Sequence, residues 1–143
     1  MRKTCKRRRY MRTAPAMVAL LLNPEVSTQE RMAVVAIRQG FATTSHFNVL
    51  ADCRDVLTLA AAEQNDRQTL AVCELALVAL ENVKERYFER QRIGASGDEL
   101  QALQVLVDQS EDFWKRQSGA LLVRADGALK KARQAAREVA HAG

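Results

Sequence analysis

A chain of 143 residues with 48% apolar content is long enough to bury a core and too apolar to be disordered throughout. Aromatics are only 5%, and six glycines and two prolines punctuate a sequence rich in Ala, Leu, Val, Gln, Arg and Glu, the composition of a helical protein. Three cysteines without paired spacing argue against a disulfide framework and for a reducing, cytoplasmic setting, and no apolar run approaches the ~20 residues of a membrane span.

The net charge of +5 is unevenly distributed. Residues 1–12 hold seven cations (Arg2, Lys3, Lys6, Arg7, Arg8, Arg9 and Arg12) and no acid, residues 13–123 hold ten basic and fifteen acidic residues, and residues 124–143 hold five basic and two acidic. An acidic middle therefore lies between two basic ends.

In chain order, residues 1–13 lack apolar periodicity and read as a flexible basic arm, with residues 14–143 as one helical-bundle domain. The apolar run 14–22 reads as a short helix or an extended plug, with Leu20, Leu21 and Leu22 docking on the core. Behind so basic a start it has the outline of a twin-arginine export signal. It is short for one, however, and Asn23-Pro24-Glu25 follows where small residues would mark cleavage, so export is not expected. Asn23-Pro24 is a turn or a helix start. Ser27 with Glu30 has capping-box spacing for a helix running to Gln39, with Met32, Val35 and Ala36 on one face and Gly40 as its stop.

A helix is expected over 45–64, capped by Thr44. It carries two apolar stripes: Phe47, Leu50, Ala51, Leu57 and Ala61, then Val49, Cys53, Val56 and Ala60. Asp66 caps the longest uninterrupted stretch, 67–93, whose first half is apolar on nearly every side (Leu70, Val72, Cys73, Leu75, Leu77, Val78, Leu80). A helix apolar all round needs partners all round. Ser96 and Glu99 form a second capping box before a helix bearing Leu100, Leu103, Leu106, Val107, Phe113 and Trp114. Ser118-Gly119 interrupts it. Residues 120–140 form a last, alanine-rich helix with Leu121, Leu122, Ala125, Leu129, Ala132 and Ala136 inward, or else projecting to pair with another copy. The fold class expected is all-α: an antiparallel helical bundle of four to six helices around a long central helix.

No constellation supports catalysis. His46 and His141 lack ligand-like companions, Glu138 and His141 make only half of a di-metal motif, and neither a phosphate loop nor a nucleophile elbow occurs. Glu81, Glu85 and Glu89, with Lys84, Arg86, Arg90 and Arg92, read as a solvated, ion-paired face. No enzyme activity, metal or cofactor is expected.

Binding is the better-supported class. The dense arm, ending at Tyr10 and Arg12, could neutralise phosphates and release counterions without reading sequence. A solvated tail has the same composition. Lys130, Arg133 and Arg137 share a face of the last helix and either extend that footprint or complement the helix dipole. A helix-turn-helix over 32–49 is disfavoured, because His46 stands where an apolar residue should pack and the second helix offers few base-reading side chains. Arg86, Tyr87 and Arg90, and Trp114 beside Phe113, are of hot-spot type for a protein partner, though core packing is the first expectation for such aromatics.

The opening Lys6-Arg7-Arg8-Arg9-Tyr10, the Gly40 turn followed by Asn48-Val49-Leu50-Ala51, and Gly97-Asp98-Glu99-Leu100-Gln101-Ala102-Leu103 leading to Asp108 resemble a group of uncharacterised small helical proteins of proteobacterial prophages and mobile elements. The resemblance implies a binding or regulatory accessory, including proteins that disable a host defence complex. Two expectations follow. The first is non-specific nucleic-acid association through the arm, assisted by the C-terminal strip. The second is a protein-binding inhibitor or regulator of a host complex that uses its acidic body.

Overall fold

The computed structural model describes residues 24–142, and every regular element among them is helical: α1 (Pro24–Gln39), α2 (Thr44–Glu63), α3 (Arg67–Arg90), α4 (Gly97–Lys115) and α5 (Gly119–Ala142). The expected all-α bundle is what the chain forms. The basic arm and the apolar run 14–22 lie outside the described residues.

Local chemistry sets the helix ends. Pro24 starts α1, taking up the alternative in which the fixed proline φ suits a first turn, so Ser27 and Glu30 lie inside the helix and do not cap it. Gly40 stops α1 at φ +81°, with the Phe41 N–H donating to the Ala36 carbonyl at 3.0 Å and the Gly40 N–H to Ile37 at 3.3 Å. That left-handed step is open to glycine at little cost. Thr43, one residue before the expected cap, begins α2, and its N–H donates to His46 Nδ1 at 2.9 Å. Asp66 caps α3 by accepting from the Thr69 N–H at 3.1 Å. The Ser96–Glu99 box at the head of α4 forms as expected.

α3 ends three residues earlier than its pattern suggested. Gln91 adopts a left-handed conformation, its N–H reaching the Tyr87 carbonyl at 2.7 Å. The turn sends Ile93 into the core, where it is 7% exposed. Burial of that side chain outweighs continuation of the helix.

Helices α2, α3 and α4 run antiparallel as a spine, with α1 covering one end and the start of α5 the other. One core cluster joins Ala33, Val34 and Ile37 of α1 to Leu50, Leu80, Val83, Leu103 and Val107. The other joins Leu57, Ala60, Cys73, Ala76, Leu106 and Phe113 to Leu121 and Ala125 of α5.

The long helix expected at the centre is present, but it is not enclosed on every side. Among the described residues α2 packs against all four other helices, whereas α3 packs chiefly against α2 and α4. The two apolar stripes of α2, built largely from alanine, cysteine and valine, let neighbours approach from several directions. α3 lacks a third neighbour, so Leu75 and Val78 remain 65% and 56% exposed.

Two smaller expectations also shift. Met32 is 48% exposed, and α1 instead buries Ala33, Val34, Ala36 and Ile37. On α5, Leu121, Leu122 and Ala125 are buried, while Ala132 and Ala136, expected inward, are exposed.

Candidate protein-binding surfaces

The Asp66 cap of α3 is tied into the bundle by a short polar chain. The buried Thr69 hydroxyl donates to Asp66 Oδ2 at 2.6 Å and accepts from Gln109 Nε2 of α4 at 2.9 Å. The Thr69 hydroxyl and backbone N–H hold the Asp66 carboxyl below the ordinary carboxylate range. On α1, Arg31 bridges to α4 through Asp108 at 3.1 Å and through Glu111. Arg54 of α2 pairs with Asp55 at 2.8 Å and donates to the Cys73 carbonyl of α3 at 3.4 Å. His46 and Arg54 are thus part of the scaffold, and α2 is walled in by four helices. Residues 32–49 form a packed helical hairpin, the end of α1 against the start of α2.

The C-terminal strip is largely neutralised from within. Arg133 donates to Asp52 Oδ1 at 2.6 Å and Asp55 Oδ2 at 3.2 Å, and Lys130 pairs with Asp126 at 2.8 Å. The Asp52 contact leads the interactions that raise the Arg133 pKa. Arg137 is exposed and makes no ion pair among the described residues. Arg124 binds Glu63 through Nε at 3.0 Å and Nη2 at 2.6 Å. These contacts hold α5 antiparallel along α2.

The remaining hot-spot candidates separate. Arg86 pairs with Glu99 and so braces α3 against the cap of α4. Burial pushes the Glu99 carboxyl up, yet the Arg86 guanidinium and the Ser96 N–H hold it below its ordinary value. Tyr87 is half-buried against the first core cluster, and Arg90 is exposed at the end of α3. Trp114 stands at the far end of α4, roughly 20 Å along the helix from Glu99 at ~1.5 Å per residue. It packs edge-on to fully buried Phe113, with ring centroids 5.0 Å apart, and is itself half-buried. The structure does not bring Trp114 and Tyr87 into one patch. Lys3, Arg2, Lys6, Arg7, Arg8, Arg9, Tyr10 and Arg12 lie outside the described residues.

Two surfaces remain that the sequence did not single out. The first is the outer face of α3, where helical spacing aligns Ala71, Leu75, Val78 and Asn82 along one stripe. Glu74, Glu81, Glu85 and Glu89 flank it, all exposed. The face expected here is solvated but not ion-paired: among the described residues Glu81, Glu85 and Glu89 are exposed and make no salt bridge, and Arg86 pairs with Glu99 instead. The sequence did hold a signal. Four glutamates on one side of the helix mark the side that resists burial.

The second is a cleft of about 600 Å³ between the starts of α1 and α5, floored by α2 and α4. Val26, Val49, Val56, Trp114 and Leu122 give it apolar walls, and Glu30, Cys53 and Ser110 lie among them. Burial pushes the Glu30 carboxyl up, offset in part by the Cys53 thiol and Arg31. Burial likewise raises the Cys53 thiol well above its usual value, with Glu30 adding to it, which favours the protonated thiol. Among the described residues no cluster of His, Cys, Asp or Glu could hold a metal, and no helix is long and apolar enough to cross a membrane.

No family model, no curated protein and no solved structure matches this chain.

Proposed function

We propose that this chain is a non-enzymatic binding protein whose outer α3 face seats a basic, partly apolar segment of a protein partner, as befits a regulator or inhibitor of a host complex. The observation that carries the reading is the pair Leu75 and Val78, 65% and 56% exposed, set among unpaired glutamates on a helix whose other sides are packed. Apolar surface supplies the affinity, and the carboxylates select a cationic partner and steer its approach. Covering each of these side chains contributes about 1 kcal/mol at their present exposure.

A second reading rests on a different observation. The seven cations of residues 1–12, with no acid among them, suit electrostatic attachment to DNA or RNA. Residues 24–142 carry fifteen basic and seventeen acidic residues, so the body adds no net attraction. A host nucleoprotein complex would present both a basic protein surface and nucleic acid.

The experiment is a pull-down from bacterial lysate, with and without nuclease, using three proteins: the full chain, the variant Leu75→Lys with Val78→Lys, and a chain lacking residues 1–12. Proteins retained by the full chain and the truncation, and lost with the double variant, support the α3 reading. Retention that ignores the double variant but disappears with nuclease or with the truncation overturns it in favour of nucleic acid.

A further inference from the structure

We infer, on the reading of α3 as a docking face, that this face takes the C-terminal half of α5 from a second copy, so that the chain associates with itself through unlike surfaces. The first argument is chemistry. From Lys130 to Ala142 every residue of α5 is exposed, Val139 by 74%. Residues 130–142 hold four cations (Lys130, Lys131, Arg133 and Arg137) against one acid, Glu138, and Lys131 and Arg137 make no ion pair among the described residues. This is a basic, partly apolar helix, and the exposed Glu74, Glu81, Glu85 and Glu89 of α3 meet it with charge of opposite sign.

The second argument is register. Leu129, Ala132, Ala136 and Val139 continue, at intervals of three and four, the stripe that Leu122 and Ala125 begin in the core. Leu75, Val78 and Asn82 repeat at the same intervals on α3. Laid antiparallel, the two stripes set Val139 of the second copy on Leu75, Ala136 on Val78 and Ala132 on Asn82. The alanines leave room for the larger side chains opposite, Phe88, itself 65% exposed, comes against Ala128, and Lys131 lies on the flank that carries Glu81. The third is exclusion of the same chain. Arg124 and Arg133 hold α5 along α2, and α3 turns its packed sides toward α2 and α4, away from its own α5 end. A contact between unlike patches is heterologous, so it closes into a ring or propagates. It also covers the surface a protein partner needs, and that partner must displace it.

Sedimentation equilibrium of the full chain is to be compared with two charge-reversed forms: Lys131→Glu with Arg137→Glu on α5, and Glu81→Lys with Glu85→Lys on α3. All four positions are exposed, and circular dichroism follows helicity. The expected result is a mass above 16.0 kDa that rises with concentration in the full chain. Its association constant should fall roughly ten-fold or more in each reversed form alone and recover when the two forms are mixed. Where a reversed form loses helicity, Val139→Asp or Leu75→Lys takes its place with the same expected loss. A full chain that stays at 16.0 kDa up to about 1 mM overturns the proposal. Association lost with the α5 reversal but kept with the α3 reversal assigns the contact to α5 against α5, and overturns it. Association that ignores both reversals and disappears with residues 1–12 overturns it as well. The pull-down turns on Leu75 and Val78 and not on Lys131 or Arg137, so a monomeric chain that still retains a protein through α3 refutes this inference alone.

Discussion

Arg133 of α5 donates to Asp52 of α2 at 2.6 Å and to Asp55 at 3.2 Å, joining positions 81 and 78 residues apart. The same guanidinium looks, in sequence, like one of three cations on a helix face offered to phosphate. In the fold it is the latch that lays α5 along α2. Arg133→Gln should therefore leave salt-dependent nucleic-acid binding within about two-fold while speeding amide exchange over residues 130–142. The stability cost should stay within ~1 kcal/mol, since both partners are roughly half exposed and water screens the pair. Gel-shift titrations and hydrogen exchange check the two halves.

Two leucines that read alike in sequence should separate sharply by denaturant titration. Leu57 in α2 is 0% exposed at the contact of several helices, and Leu57→Ala should cost about 2–5 kcal/mol. Leu75 in α3 is 65% exposed, and Leu75→Ala should change stability by no more than ~0.5 kcal/mol.

Two turn residues test the backbone. Gly40 has φ +81° with open space where a Cβ would stand, so Gly40→Ala should cost about 1 kcal/mol from backbone strain alone. Gln91 adopts φ 54° with a side chain that gains little there, and Gln91→Gly should gain roughly 0.5 kcal/mol after the entropy of the freer unfolded chain is counted. Midpoints of urea unfolding at constant slope measure both.

Acid titration separates carboxyls of opposite sign. Asp66 and Glu111 are held below their ordinary values, Asp66 chiefly by the Thr69 side chain and Glu111 chiefly by Arg31. The stability they contribute is present above the unfolded carboxylate range near ~4 and is lost as pH falls through their lowered values. Glu30 is raised by burial, so its contribution is fully present below ~4 and is lost as pH climbs through the raised value. Glu30→Gln should accordingly stabilise the chain at pH 7 and make no difference at pH 3. Asp66→Asn should do the reverse, costing most at pH 7 and less as pH falls below ~4. Thermal unfolding across that range reads both.

Much of the fold was legible because it is set by neighbours in sequence. Asp66, Ser96 with Glu99, and Gly40 fix helix ends through side-chain and backbone bonds that span three or four residues, and those bonds form whatever the rest of the chain does. Helical periodicity likewise placed Leu103, Leu106, Val107 and Phe113 on one buried face.

Whether an apolar helix face is covered depends on how many neighbours reach it, and no local rule counts them. α2, with two stripes of small and branched residues, came to touch all four other helices, and α3, the more apolar at its start, kept Leu75 and Val78 in solvent. The fate of charges was non-local in the same way. Arg86 left the glutamates of its own helix for Glu99, and Arg133 left the C-terminal strip for Asp52, each contact joining two helices. Sequence alone thus determined an all-helical chain, several of its helix ends and the uneven placement of its charge, because hydrogen bonding along the backbone and composition are local properties. Only the tertiary structure decided which apolar faces stay open, which cations are neutralised and where a cleft remains, because those depend on which helices meet in space.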